Sequence, residues 1–165
     1  MSPSESTKTL TNRAAVKAQA KLNKPVLRRG AKGQAVIELQ ELLSQYDLYN
    51  GSLNGIVDFT IERAVKTFQH RVFLVEDGIV GQLTWQALYS GAPVNMPMLR
   101  RGDQGQVVVT LQKVLYAAKD FNDVFNGVFG PNTEAAVLAF QKRNGLVVDG
   151  IVGKETWFAL SKVPH

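Results

Sequence analysis

"LVEDGIVGQLTW" at residues 74–85 is written again, nearly letter for letter, as "LVVDGIVGKETW" at residues 146–157. The offset is 72 residues. Without any gap, the same offset lays "LRRGAKGQAVIELQ" (27–40) on "LRRGDQGQVVVTLQ" (99–112) and "AVKTFQ" (64–69) on "AVLAFQ" (136–141). Agreement at both ends and in the middle means that one unit of roughly 64 residues occurs twice, and such a period decides the architecture before any local pattern does. The chain therefore divides into a first stretch over 1–26, repeat 1 over 27–90, a linker over 91–98 and repeat 2 over 99–162.

The 165 residues are enough for two small domains. A unit of this size buries only about 60% of its unfolded surface and sits near the lower limit for a self-supporting core. Cysteine is absent, which removes disulfide frameworks, thiolate zinc sites and cysteine nucleophiles together but does not fix the compartment. No apolar run approaches the ~20 residues of a membrane span, and "MSPSESTKTLTNRAAVKAQAKLNK" shows no apolar signal-peptide core.

The formal charge of +5 is unevenly distributed. Residues 1–32 hold eight basic side chains against Glu5 alone, a balance of +7, and the remainder holds eleven basic and thirteen acidic residues, a balance of −2. The basic character thus belongs to an arm ahead of nearly neutral repeats. Arg13, Lys17 and Lys21, four residues apart, form one stripe if "NRAAVKAQAKLN" is helical, with Pro25 stopping that helix. Two readings stand for the arm: a solvated linker, or a segment that docks on an anionic polymer.

Within each repeat the periodicity is helical. Val36, Leu39 and Leu43 fall at i, i+3 and i+7, matched by Val108, Leu111 and Leu115. A second helix is expected from Pro131 to a stop at Asn144-Gly145, with Ala136, Val137 and Phe140 on one face. A third, shorter one follows Gly153 and turns Trp157 and Leu160 inward. Between the first two, "FNDVFNGVFG" reads as a compact connection with room for a short hairpin. The fold class that follows is all-α: two tandem small three-helix bundles with short connecting loops, preceded by the basic arm.

Read in order, the letters Leu-Arg-Arg-Gly, Leu-Gln, Asn-Gly, Phe-Gly-Pro-x-Thr, Ala-Val, Phe-Gln, Gly-Leu-x-x-Asp-Gly-x-x-Gly and Thr-Trp resemble the bacterial peptidoglycan-binding domain. Residues 99–162 match it almost throughout. Repeat 1 keeps the two ends but has Asp58 and Phe59 in place of Gly130-Pro131, and Phe73 in place of Gly145. Asp58 can cap the second helix through its carboxylate, whereas without the glycine that helix is expected to end differently. The resemblance implies a non-catalytic cell-wall binder, in the wall or periplasm, that recognises glycan strand or stem peptide. It also implies a partner or fragment of a cell-wall hydrolase, since such modules accompany separate catalytic domains.

Each repeated residue has a structural reading beside the functional one. Trp85 and Trp157 fill the cores, or stack on a pyranose. Gln40 and Gln112, like Gln69 and Gln141, tie a loop backbone to a helix, because a buried amide must be satisfied. Phe68 and Phe140 are core. Asp77 and Asp149 read as turn chemistry, as do Asn54 and Asn126, with Asn126 and Asp149 kept as candidate ligand contacts. Arg28, Arg29, Arg100 and Arg101 precede a glycine turn and have no core to fill. They are candidates to meet stem-peptide carboxylates through paired hydrogen bonds, or else serve solubility.

Catalysis finds little support. His70 and His165 are the two histidines, no metal-ligand spacing is present, and no cofactor or metal is expected. His70 has no counterpart in repeat 2, and the acidic residues sit at caps, turns and helix faces of a bundle too small to enclose a sugar ring. The alternative class is a protein-interaction or nucleic-acid module that uses the arm.

Overall fold

A computed structural model describes residues 23–165, so the arm's expected helix and its stripe of Arg13, Lys17 and Lys21 lie outside the described residues. Among those described, the chain is all-α, with α1 (Gln34–Gln45), α2 (Phe59–Arg71), α3 (Gln82–Ser90), α4 (Gln106–Ala117), α5 (Pro131–Arg143) and α6 (Lys154–Ser161). Two units separate at Val94/Asn95, with Arg71–Phe73 grouped with the second. Helices α1–α3 form one three-helix bundle and α4–α6 the other.

In the first bundle Val36, Leu39, Leu43, Val65, Phe68, Trp85 and Leu88 are all essentially sealed from solvent. Trp85 is 0% exposed, and its indole N–H donates to the Pro25 carbonyl at 2.9 Å. In the second, Trp157 is 2% exposed and donates to the Pro97 carbonyl, also at 2.9 Å. The two prolines that precede the repeated letters are therefore part of each bundle. Neither indole presents a face to a sugar. A ring of this size removes on the order of 200 Å² from water, worth about 5 kcal/mol, and its single polar atom is satisfied.

The first unit begins α2 with a side-chain cap: the Ile61 N–H donates to Asp58 Oδ1 at 2.9 Å. The second begins α5 with Gly130 and places Pro131 in the first turn, where no intrahelical N–H is needed. The helix ends correct one expectation. Phe73 takes the left-handed conformation, φ 64°, that Gly145 takes at φ 69°, and Leu74 N–H bonds Gln69 O at 2.8 Å as Leu146 N–H bonds Gln141 O at 2.9 Å. Repeat 1 thus ends α2 as repeat 2 ends α5, and bears the steric cost, on the order of 1–2 kcal/mol, of a Cβ in that region.

The connection over 121–130 contains no hairpin. Val128 instead makes an isolated antiparallel bridge to Gln104 ahead of α4, as Ile56 does to Lys32; Leu27↔Val80 and Leu99↔Val152 make a second bridge in each unit. The segment ahead of the first helix is therefore pinned twice, once by each inter-helix loop.

Each unit also contains a shorter echo of itself. Ala35-Val36-x-x-Leu39-Gln40 on α1 is answered by Ala64-Val65-x-x-Phe68-Gln69 on α2, and each glutamine is followed by an Asn-Gly or Asp-Gly loop. The bundle is thus assembled from two helix-plus-loop units closed by a third helix.

Candidate binding surface

The glutamines hold the loops. Gln69 is buried; its carboxamide N–H groups face Asp77 Oδ1 (3.0 Å), Ile79 O (3.0 Å) and Thr84 Oγ1 (3.2 Å), and its Oε1 accepts from Gly78 N–H (3.0 Å). Gln141 repeats this with Asp149 Oδ1 (3.0 Å), Ile151 O (2.9 Å), Thr156 Oγ1 (3.2 Å) and Gly150 N–H (2.9 Å). Gln40 and Gln112 do the same for the other loops, facing Asn54 Oδ1 at 2.9 Å and Asn126 Oδ1 at 3.1 Å, and accepting from Gly55 and Gly127 at 3.0 Å. A buried amide so fully engaged fixes the loop, because leaving any of these groups unpaired costs about 1–3 kcal/mol.

Asn126 and Asp149 are exposed residues whose side-chain Oδ1 atoms are already engaged. Asn126 Oδ1 also accepts from Val128 N–H (3.0 Å), and Asp149 Oδ1 from Ile151 N–H (2.9 Å). The Ile151 N–H holds the Asp149 carboxyl below its ordinary range, with the Gln141 amide assisting and partial desolvation opposing. These two residues shape the turns, and each sits on a different loop.

The exposed arginines divide. Arg28 and Arg100 point outward; the Arg100 backbone N–H is held by Asp103 Oδ2 at 2.8 Å and its guanidinium lies 3.4 Å from Met98 Sδ. Arg29 and Arg101 turn toward the second helix of their units, reaching Glu62 at 3.8 Å and Glu134 at 3.6 Å. The same glutamates flank the Asp-Gly loops. A Cβ on Gly78, whose φ is +72°, would come within 2.9 Å of Glu62 Cγ, and one on Gly150 within 3.4 Å of Glu134 Cγ. Arginine turn, helix face and Asp-Gly loop thus meet around one glutamate in each unit, which brings Arg101 beside the loop of Asp149 and leaves Asn126 on the other loop.

On this frame the two surfaces differ. In the first unit Phe59 lies beneath two guanidinium groups, Arg29 at 5.3 Å and Arg63 at 5.8 Å from the ring centre. Beyond it Arg63, Lys66, Thr67, His70 and Glu76 line a cleft of about 380 Å³. The second unit has Pro131, Ala135, Leu138, Ala139, Lys142 and Val148 at the corresponding positions. It exposes an aromatic pair elsewhere, Tyr116 edge-on to Phe125 at 5.5 Å, where the first unit has Ser44 and Leu53. Of these residues the sequence marked Phe59 and His70 as departures between the copies but gave neither a binding role, and it did not mark Arg63, Lys66, Thr67, Glu76, Tyr116 or Phe125. The usable signal was the polar spacing of Arg63, Lys66, Thr67 and His70 on one helix face.

Residues 32–88 and 104–160 each match the peptidoglycan binding domain, and together they make up more than half of the chain. The chain belongs to the peptidoglycan binding domain family. Among curated proteins, the N-acetylmuramoyl-L-alanine amidase CwlM of Mycobacterium tuberculosis is 32% identical over 162 residues, covering 84% of this chain and 40% of that protein. The amidase CwlL of Bacillus licheniformis is 28% identical over 157 residues, covering 79% of this chain and 44% of that protein. The chain accordingly spans less than half the length of these relatives. Among solved structures, the SleB N-terminal domain matches with 34% identity and a TM-score of 0.41, over 42% of this chain and 96% of that one. Two copies of the peptidoglycan binding domain thus sit on a shared frame of glutamine-locked loops. No helix among the described residues is long and apolar enough to cross a membrane.

Proposed function

We propose that this chain binds peptidoglycan without cleaving it, and that its two domains act together, each weak site raising the effective concentration of the other on a repetitive polymer. The observation that carries this reading is the presence of two family domains that both keep their buried core and their locked loops. Its place of action would be the cell wall, alone or as the wall-binding part of a hydrolase like the two amidases it resembles. Arg28, Arg29, Arg100 and Arg101 are proposed to meet stem-peptide carboxylates, since guanidinium and carboxylate pair through two parallel hydrogen bonds. Asn126 and Asp149 would serve by holding the turns beside them.

A second reading rests on the +7 balance of residues 1–32, which would suit an anionic polymer such as nucleic acid. Pull-down of the chain with insoluble sacculi, with duplex DNA and with neither, at low and high salt, separates the two. Retention on sacculi that survives removal of residues 1–22 supports wall binding by the repeats. Retention on DNA alone, lost with the arm, would replace this reading by the second.

A further inference from the structure

We infer that the α2 cleft of the first unit is a binding site for a small oxyanion, carboxylate or phosphate, which the second unit lacks. The inference does not depend on the peptidoglycan reading, because it rests on Arg63, Lys66 and Glu76, which the second family domain of this chain does not carry. Arg63, Lys66 and His70 lie at i, i+3 and i+7 and project from one face of α2 around a shallow, open depression of about 380 Å³, with area for a single small ligand. All three are exposed, and all three can donate hydrogen bonds to an anion. The Arg63 guanidinium rests 5.8 Å above the Phe59 ring, an arrangement that steadies the long side chain and leaves its edge N–H groups available.

The remaining groups at the cleft set its selectivity. The Thr67 hydroxyl donates back to the Arg63 carbonyl at 3.0 Å. Glu76 is the carboxylate in the lining and faces His70 Nδ1 at 3.2 Å. Glu62 is outside the lining, between Arg29 at 3.8 Å and Lys66 at 3.7 Å. Those two contacts are long, so Lys66 is not committed to Glu62 and can turn to a ligand. Two permanent cations with a histidine, against one lining carboxylate, favour an anion over a cation.

The second unit supplies the internal comparison. Its Asp-Gly lock is the same and its buried positions match, with Thr133 in place of Ile61. Yet Ala135, Leu138 and Val148 replace Arg63, Lys66 and Glu76, Pro131 replaces the Phe59 platform, and Lys142 is the one cation kept, in place of His70. The bundle therefore folds without any of the four. Charged groups placed in a cleft that the fold does not need are available for a ligand.

The test is a titration of the full-length ¹⁵N-labelled chain, at low ionic strength, with three probes: N-acetyl-D-alanine, glycerol 1-phosphate and uncharged N-acetylglucosamine. The expected result is saturable shifts of amides within 63–76 with one or both anions, with a Kd in roughly the millimolar range for two or three charge-assisted contacts. Residues 135–148 and the uncharged sugar should give none. A stronger response to the carboxylate supports a peptide-borne ligand, and a stronger response to the phosphate a phosphodiester-borne one.

Arg63→Ala with Lys66→Leu, the residues the second unit already carries, should weaken anion binding at least about tenfold while the core resonances stay in place. Glu76→Gln removes the competing carboxylate and should tighten binding by roughly two- to fivefold. The inference is overturned if neither anion shifts residues 63–76, if residues 135–148 respond equally, or if Glu76→Gln weakens binding. Failure here would leave retention on sacculi untouched, so the two proposals are distinguishable.

Discussion

The second helix of the first unit and its copy in the second carry the same residue at four of five buried positions, with Ile61 against Thr133 at the fifth, and differ at most exposed ones. Ile61, Val65, Phe68 and Gln69 face the core of the first; Thr133, Val137, Phe140 and Gln141 face that of the second. Outside, Phe59, Arg63, Lys66 and His70 stand against Pro131, Ala135, Leu138 and Lys142. A buried side chain must fill a fixed volume and satisfy fixed polar partners, so it admits few replacements. An exposed face on the same helix carries neither demand. The frame is therefore common to both units, and whatever distinguishes their ligands is written on helix faces that the frame leaves free.

The units also stitch themselves differently where the frame allows it. In the first, the Tyr46 hydroxyl donates to the Leu88 carbonyl and joins α1 to α3. In the second, Arg143 makes a bidentate pair with Asp120, at 2.6 and 2.7 Å, and joins α5 to the end of α4.

The largest effect that would break the comparison comes from the tryptophans. Trp85→Ala and Trp157→Ala should each cost about 3–5 kcal/mol, as large-to-small core changes, and should do so to similar extents. Thermal melts of the two full-length variants check this. A loss confined to one of them would mean that the two cores are not equivalent.

What the sequence disclosed follows the same division. The 72-residue repeat, the helix periodicity and the Asp58 cap are consequences of burial and local hydrogen bonding, which leave a periodic trace in the letters. The ending of α2 was misread because a phenylalanine in place of glycine argues against a left-handed residue on local grounds alone; the backbone adopts φ 64° there all the same. The bridges of Val128 to Gln104 and Ile56 to Lys32 join positions distant along the chain and leave no local mark. The cleft depends on Glu76 facing α2, a relation set by the Gln69 lock rather than by any motif.

The next effect concerns the locks. Gln69→Leu and Gln141→Leu keep the volume but leave Gly78 or Gly150 N–H without its acceptor, and should each cost about 1–3 kcal/mol. Hydrogen exchange should quicken first at Gly78 in one variant and at Gly150 in the other. Unchanged protection at both glycines would mean that the loops hold themselves.

A third substitution gives the second unit the strain of the first. Nothing lies within 4 Å of a Cβ placed on Gly145, so Gly145→Ala isolates the backbone term, and should cost about 1–2 kcal/mol through its φ of +69°. A melt unchanged by this substitution would show that a side chain at this helix end is tolerated without strain.

The smallest effect is a pH dependence. Hydrogen bonding from Ile151 N–H lowers the Asp149 carboxyl below its ordinary value, so the folded state favours the carboxylate. Its contribution is present above about pH 4, the ordinary range of an unfolded aspartate, and is lost as pH falls through the lowered value. Melts between pH 5 and pH 2 should fall less steeply for Asp149→Asn than for the parent, since Asn54 and Asn126 perform the same turn without a charge. Equal slopes would remove Asp149 from the acid response.

The most direct test of the account as a whole is co-sedimentation of the full-length chain with purified sacculi, with the supernatant assayed for released wall fragments. Saturable pelleting of the chain with no soluble fragments above the sacculus-only control is the predicted result. A chain that stays in the supernatant at all concentrations would contradict wall binding, and released fragments would contradict binding without cleavage.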